Sequence, residues 1–143
     1  MKIKPIGVIH TPYKKMEDVP IQPCYSKDVC EVEVFKEYEE GLKDIEGFSH
    51  IIILYLFHKS QDYELLVKPF LDSDRHGVFA TRHPNRPNPL GISVVRLLER
   101  RGSILRVKGI DVLDGTPLID IKPYVPNFDQ ATDTKIGWLE GRV

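Results

Sequence analysis

The segment of this sequence with the clearest chemical potential is TRHPNRPNPLGI, residues 81–92. Its three prolines fix φ and hold the preceding residues in extended conformations, so little conformational entropy remains to be lost on binding. Arg82 and Arg86 carry planar guanidinium groups that suit a carboxylate or a phosphate, and Asn88 adds an amide. Gly91 permits a close backbone approach or a positive φ where the chain enters the next apolar run. The segment predicts a preorganised anion-binding loop; a stiff surface connection with incidental arginines is the alternative.

Positive charge is concentrated around this segment. Residues 75–108 hold eight Lys or Arg and a single acidic residue, Glu99, although the net charge of the protein is −1. A basic block in a nearly neutral protein favours an anionic partner, and phosphates are the commonest candidates. The alternative is a solvated hairpin whose arginines pair with acidic residues elsewhere in the chain.

Several common chemical motifs are absent from the sequence. It has no Gly-x-Gly-x-x-Gly, Walker or Gly-x-Ser-x-Gly motif, which argues against a conventional Rossmann nucleotide site. The five histidines show no His-x-x-x-His spacing, so we expect no metal site. The spacing of Cys24 and Cys30 fits neither a zinc knuckle nor a redox motif, so we expect both to be reduced structural thiols. With no secretory signal and no apolar run of about 18 residues, we expect a cytoplasmic protein without a membrane partner.

The elements that must position these residues are mostly short strands. CEVEVF (residues 30–35) alternates apolar and acidic side chains, which is typical of a half-buried strand. HIIILYLF (residues 50–57) is apolar almost throughout and predicts a central strand covered on both faces. ISVVRLLERRGSILRVKGIDVL (residues 92–113) predicts two strands joined near RRGS, with Arg106 and Lys108 on one face of the second strand.

The last extended segment, GTPLIDIKPYVP (residues 115–126), places Asp120, Lys122 and Tyr124 on one side. Helical patterns are few: one turn within residues 37–48 and a capped turn holding Trp138 in the tail. Many short strands with few helices predict a mostly β fold, an antiparallel barrel or sandwich, and we expect a single small antiparallel or mixed β-barrel of non-Rossmann type. We expect residues 1–143 to form one domain with no additional C-terminal domain.

Five blocks of the sequence together resemble the TsaA-like family, which includes bacterial tRNA adenine-N6 methyltransferases of the TrmO type. The blocks follow the family order and cover nearly the whole chain: IGVIHTPY, VPIQP, GLKDIEGFSHIIILYLFH, GVFATRHPNRPNPLGISVVRL and GIDVLDGTPLIDIKPYVP. The resemblance implies a small β-barrel methyltransferase that binds S-adenosylmethionine without a Rossmann sheet. It also implies a homodimer and a tRNA substrate, with N6-methylated threonylcarbamoyl-adenosine beside the anticodon as the product.

Carried over by motif position, the family's cofactor contacts fall on these residues: Pro20, Ile21, Gln22, His58, Lys59, Arg82, Ile92, Asp111, Val112, Leu113 and Asp114. Arg82 suits the carboxylate of the cofactor, and an aspartate suits its ribose hydroxyls or amino group. Two positions depart from the family pattern. His83 stands where small residues are common, and Ile21 stands where a basic residue can occur.

The acceptor amine needs a hydrogen-bond acceptor on its N6–H, because its lone pair is delocalised into the ring. Asp120 and Asp111 are the candidate catalytic acceptors, and Tyr124 is the candidate to stack on or orient the base. The candidate substrate-binding residues are Arg86, Asn88, Arg106 and Lys108, with Arg86 assigned to the threonylcarbamoyl carboxylate. Two other functions stay open: a module that binds S-adenosylmethionine or RNA without turnover, and an unrelated enzyme that uses Arg82 and Arg86 on a phosphorylated metabolite.

Overall fold

The computed structural model describes residues 1–19, 28–60 and 62–143. These residues form two compact units. One comprises Met1–His58 and Leu90–Tyr124, and we call it the barrel unit. The other comprises Lys59–Pro89 and Val125–Val143, and we call it the second unit.

Eight strands are present in the described chain. They are β1 (Gly7–His10), β2 (Val29–Val34), β3 (His50–Leu56), β4 (Leu66–Val67), β5 (His76–Gly77), β6 (Leu90–Arg101), β7 (Ile104–Lys108) and β8 (Thr116–Pro123). Six of them close a barrel in the order β1-β2-β7-β6-β3-β8, and every pairing between neighbours is antiparallel. The predicted mostly β, non-Rossmann fold is therefore confirmed, as a barrel and not as a sandwich.

Side-chain alternation sorts the barrel strands into an inner and an outer face. In β2, Cys30 and Val32 are buried while Glu31 is exposed. In β7, Leu105 and Val107 are fully buried, whereas Arg106 and Lys108 are exposed. Because successive strand residues point to opposite sides, the polar half of each strand meets solvent and the apolar half fills the barrel. Both predicted strands are confirmed.

Strand β3 differs from its sequence prediction. Ile51, Ile53 and Tyr55 are buried, but Ile52 and Leu54 between them are only half-buried. The continuous apolar run predicted cover on both faces, which is wrong for this strand within the barrel unit. A closed barrel has a single interior, so the outward apolar side chains of β3 stay partly exposed.

A bulge in β8 sets the direction of its polar residues. Leu54 pairs with Asp120 and Tyr55 pairs with Leu118, which leaves Ile119 as the extra residue. Beyond the bulge, Asp120 and Lys122 share the outer face and form an ion pair of 2.9 Å. The predicted placement of these two polar residues on one side is confirmed.

The helices are short. The barrel unit has 3-10 turns at Met16–Asp18, Lys36–Leu42 and Ile45–Gly47, so the turn predicted within residues 37–48 is present. The second unit has the 3-10 turns Val78–Ala80 and Gly137–Leu139 and the α-helix Pro126–Asp129. The tail turn contains Trp138 as predicted, but its N-cap residue, Ile136, makes no side-chain cap hydrogen bond, so the predicted cap is absent at that end. No described helix has the length and apolarity to cross a bilayer.

Gly91 marks the point where β6 enters the barrel. A Cβ at this position would lie 2.8 Å from Cζ of Phe57 and would overlap the ring of Tyr55. These two rings pack edge to face, with centroids 5.6 Å apart. Of the two roles expected for this glycine, the structure shows the close backbone approach.

We expect Gly91→Ala to destabilise the protein by about 1–3 kcal/mol, because an added methyl must displace two packed rings. The measurement is urea unfolding followed by circular dichroism. Gly41→Ala is the matched control: nothing lies within 4 Å of its added Cβ, and alanine favours a helical turn. Equal unfolding midpoints for Gly91→Ala and wild-type protein would contradict this packing.

Candidate functional site

The loop that carries the basic motif is fastened by its own groups. Nη1 of Arg86 donates to the carbonyl oxygens of Thr81 (2.9 Å) and His83 (3.1 Å). The backbone N–H of Asn85 donates to Nδ1 of His83 at 3.1 Å. An acceptor at Nδ1 places the His83 proton on Nε2. These bonds connect residues 81–86 to one another, and the preorganisation that the prolines predict stays a prediction.

Arg86 thus has a use that the sequence did not predict. We assigned Arg86 to a substrate carboxylate, but its Nη1 bonds the carbonyl oxygens of two residues at the start of its own loop. Arg82 differs from it, since its side chain is exposed and makes no hydrogen bond or ion pair with the described residues. Lys59 and Asn88 are also exposed in the second unit. Within this unit, Arg82 is the arginine of the motif that is available to an anion.

A polar network lies inside the barrel unit where Asp111 meets β6. The hydroxyl of Ser93 lies 2.8 Å from the hydroxyl of Tyr55 and donates to Oδ1 of Asp111 at 3.3 Å. Ser93 and Tyr55 are both buried, and Asp111 is half-buried. A buried hydroxyl pair that supports a carboxylate fixes the direction of that carboxylate. Asp111 is consequently an oriented acceptor at the end of the barrel.

The rest of the 111–114 run is held against the chain that follows β1. Asp114 accepts hydrogen bonds from the backbone N–H of Thr11 (2.9 Å) and from Nζ of Lys14 (2.7 Å). The hydroxyl of Thr11 donates to the carbonyl oxygen of Val112, and the hydroxyl of Thr116 donates to that of Leu113. These bonds fix the backbone of the run.

The charge of Asp114 is stabilised by the same contacts. The Lys14 ammonium, followed by the Thr11 N–H, holds the pKa of Asp114 below its ordinary value of 3.8, and burial opposes this shift only in part. The carboxylate of Asp114 is therefore ionised at neutral pH and satisfied by protein donors.

The two candidate acceptors of the N6 proton are placed differently, since Asp111 lies in the connection between β7 and β8 and Asp120 lies in β8. Asp111 contacts the inward-facing Ser93, whereas Asp120 points outward and pairs with Lys122. Tyr124 is on the outer side, where its ring packs edge-on against His50 with centroids 6.3 Å apart. The structure does not bring Asp111 and Asp120 together.

The outer face of β6 and β7 carries the basic residues. Arg96 pairs laterally with Lys108 on one side and with His50 on the other, and both cationic side chains are exposed. Arg106 instead forms an ion pair with Glu99 at 3.2 Å. Hydrogen bonds from Arg101 and Arg106 lower the pKa of Glu99. Arg106 is thus partly neutralised, and the row of Lys108, Arg96 and His50 is the more open basic surface.

The remaining cofactor candidates are distributed as follows. Pro20, Ile21 and Gln22 lie outside the described residues. His58 closes the first segment of the barrel unit and is half-buried, and Ile92 lies on the outer face of β6 with 45% of its surface exposed. Among the residues that the structure describes, no group of three His, Cys, Asp or Glu is arranged to hold a metal ion.

Comparisons with known proteins identify the family. Residues 8–130 match the family model of the tRNA-methyltransferase O N-terminal domain. The chain belongs to the tRNA-methyltransferase O (TrmO) family. The family match spans all described candidate residues, from His58 to Tyr124.

Three relatives illustrate the range of the TrmO family. A Pyrococcus abyssi protein named as a probable S-adenosyl-L-methionine-binding protein is 60% identical over 98% of this chain and 77% of its own length. The tRNA (adenine(37)-N6)-methyltransferase of Escherichia coli is 37% identical over 94% of this chain and 62% of its own length. The crystal structure of TrmO from Pseudomonas aeruginosa superposes with a TM-score of 0.81 at 37% identity, over 96% of this chain and 61% of that chain. The chain therefore spans less than two thirds of the E. coli relative and of that solved TrmO chain.

Some residues that shape the site were not found from the sequence. Ser93 and Tyr55 lie in otherwise apolar strands. Their hydroxyl groups at positions that alternate toward the barrel interior could have indicated a polar network. Asp72, His76 and Trp138 of the second unit also form contacts that no local motif indicates. Most of these contacts join residues that are far apart in the sequence, so the local spacing of residues in a TrmO sequence does not indicate them.

We expect Lys14→Gln to raise the pKa of Asp114 toward 3.8, because it removes the largest cause of the shift. A lowered folded-state pKa contributes stability above the ordinary value and loses it as the pH falls through the folded value. The variant should consequently lose stability at neutral pH and show a shallower decline on acidification. Carboxyl-carbon NMR titration measures the pKa, and Lys15→Gln is the control because Lys15 pairs with Glu17 instead. An unchanged Asp114 titration in Lys14→Gln would contradict the assigned cause.

Proposed function

We propose that this protein is an S-adenosylmethionine-dependent methyltransferase that methylates N6 of an adenosine in tRNA. A threonylcarbamoyl-adenosine beside the anticodon is the proposed acceptor. The observation that carries the proposal is the TrmO family match across residues 8–130, which contains every described candidate residue. Relatives named as S-adenosylmethionine-binding proteins and as tRNA (adenine(37)-N6)-methyltransferases support its two parts.

The described residues fit the chemistry of the cofactor. We assign the cofactor carboxylate to Arg82, which is exposed and follows a fixed turn. Asp111 is assigned to a ribose hydroxyl or the adenine amino group, since Ser93 orients its carboxylate. The other proposed contacts to the cofactor come from His58, Lys59, residues 20–22 and the main chain at Ile92 and at residues 111–114.

The bound cofactor supplies an electrophilic methyl group on a sulfonium. This chain's own contribution is to hold the acceptor amine in line with that methyl and to accept the N6 proton, which is how positioning lowers such a barrier. Of the two candidate acceptors we favour Asp111, because the hydroxyl of Ser93 donates to its Oδ1 and orients the carboxylate. Asp120 is paired with the Lys122 ammonium, which competes for its lone pairs. Tyr124 remains the proposed orienting residue on the outer face.

The basic row supports the tRNA part of the proposal. Lys108 and Arg96 are exposed neighbours on adjacent strands, where two cations suit successive phosphates. Arg106 is assigned a weaker role because Glu99 already pairs with it. Arg86 is assigned to fixing the loop, with Asn88 left to the substrate. A tRNA substrate also implies work in the cytoplasm.

We also propose a homodimer that uses the outer face of β6. Ile92 and Val94 expose 45% and 46% of their surfaces there, and their lateral neighbours Leu54 and Ile52 are apolar as well. Apolar side chains in a continuous outer row mark interaction surfaces.

A binding module without turnover is the second candidate function. The relatives at 60% and 51% identity are named only as probable S-adenosylmethionine-binding proteins, which favours it. Such a module binds the cofactor but transfers no methyl group to any RNA.

We expect S-adenosylmethionine to raise the melting temperature of the wild-type protein, because a ligand selective for the native state stabilises it. Arg82→Ala should weaken its binding roughly tenfold or more, as loss of a charge-assisted bond to the carboxylate predicts. Isothermal calorimetry measures the affinity, and Arg75→Ala, another exposed arginine of the second unit, is the control. Equal affinities for Arg82→Ala and wild type would remove Arg82 from the site.

We expect the protein to transfer labelled methyl from S-adenosylmethionine to tRNA from a strain that lacks this gene. Nucleoside digestion and mass spectrometry identify the product, and label in no modified adenosine would leave only the binding module.

Lys108→Glu should raise the tRNA concentration needed for half-maximal rate several-fold and leave cofactor affinity unchanged. Lys36→Glu is the control for net charge, because it reverses the charge of another exposed lysine in the barrel unit.

A further inference from the structure

Four side chains of the second unit form a connected cluster that the proposed function does not use. We call Asp72, His76, Trp138 and Arg142 the tail clip. The Trp138 indole stacks on the His76 imidazole with centroids 4.3 Å apart and planes 15° apart. Nε2 of His76 lies 2.8 Å from Oδ2 of Asp72, whose side chain is only 8% exposed. Arg142 donates to the carbonyl oxygen of Trp138 at 2.7 Å and lies 3.7 Å from Oδ2 of Asp72.

The tail clip ends on the turn that precedes Arg82. Nε1 of Trp138 donates to the carbonyl oxygen of Ala80 at 2.9 Å. Ala80 is the last residue of the 3-10 turn Val78–Ala80, and the next residue, Thr81, bonds back to Val78 through both its backbone N–H (3.1 Å) and its hydroxyl (2.9 Å). The tail therefore holds the turn from one side, and Thr81 holds it from the other.

These contacts are specific in direction and do not result from general burial. No residue of the turn Gly137–Leu139 is buried, and Trp138 keeps part of its surface exposed. Its ring face is occupied by one imidazole and its single N–H by one carbonyl oxygen. A half-exposed indole buries little apolar surface. Because both its ring face and its N–H have defined partners, its main effect is to fix the position of the residue that accepts its hydrogen bond.

We propose that Trp138 is a positioning residue for Arg82. The indole fixes the 78–80 turn, and the fixed turn sets the direction in which the Arg82 side chain leaves the backbone. Arg86, which closes residues 81–83 from the other end, completes the support. The proposal rests on the proposed role of Arg82 in binding the cofactor. It extends the site by residues that touch neither cofactor nor substrate.

The first test uses the ligand-free protein and measures hydrogen exchange at the Thr81 amide. Trp138→Phe keeps an aromatic ring on His76 but removes the bond to Ala80. We expect exchange at Thr81 to become about three to ten times faster, as loss of one neutral hydrogen bond predicts. Phe128→Leu is the matched control, since this aromatic residue of the same unit is 82% exposed. Amides of β7 report on global folding. Unchanged exchange at Thr81 in Trp138→Phe overturns the proposal.

The second test is a double-mutant cycle on the affinity for S-adenosylmethionine. We expect Trp138→Phe to weaken binding about three- to tenfold when Arg82 is present and to have no effect in Arg82→Ala. A purely structural loss would weaken binding equally in both backgrounds, and that result overturns the proposal while leaving the proposed function in place. If the wild-type protein binds no S-adenosylmethionine, the proposed function fails first and the role of Trp138 in it fails as a consequence.

Arg142→Gln provides a second variant should Trp138→Phe fold poorly. It removes the donor to the Trp138 carbonyl and leaves the indole intact. We expect the same direction of change in both measurements, smaller in size because the Trp138 bond to Ala80 remains. The proposal would again be overturned if Arg142→Gln left the exchange rate at Thr81 unchanged and weakened S-adenosylmethionine binding equally with and without Arg82.

Discussion

The pairing of the first strand with the last is the constraint on which the barrel depends. β1 pairs with β8 on one side and with β2 on the other, so it closes a sheet whose other strands come from later in the chain. Gly7 makes this possible, because a Cβ there would overlap the backbone carbonyl of Glu33. The residues after β1 then hold the 111–114 run through Thr11 and Lys14. The 111–114 part of the candidate site thus depends on barrel closure.

Closure also divides the chemistry between two surfaces of one wall. Ser93 and Tyr55 present hydroxyls to Asp111 from the inner face, while Lys108 and Arg96 are exposed on the outer face. Because adjacent strand residues alternate, a single strand such as β6 serves both surfaces. A closed barrel leaves none of its six strands with a free edge, so any protein that associates with this wall must use side chains and cannot add a strand.

Much of this architecture could be predicted from the sequence, because strand alternation is a local signal. The inward and outward residues of β2 and β7 and the family were predicted correctly. The burial of β3 was not, since an apolar run does not reveal whether its second face is covered. The partners of Arg86 and Arg106 were also missed. Pairing of a long charged side chain depends on which acidic group or carbonyl the fold brings near, and no spacing rule encodes that.

The stacked pair of His76 and Trp138 has a consequence for observing this protein. Trp138 is the only tryptophan in the chain, so all indole fluorescence comes from a single site. Its ring face is stacked on the His76 imidazole and its N–H donates to the carbonyl oxygen of Ala80, so loss of either contact changes the surroundings of this one indole. The emission of the native protein is therefore an optical signal of the contact between the tail and the turn before Arg82, and it needs no added dye or label.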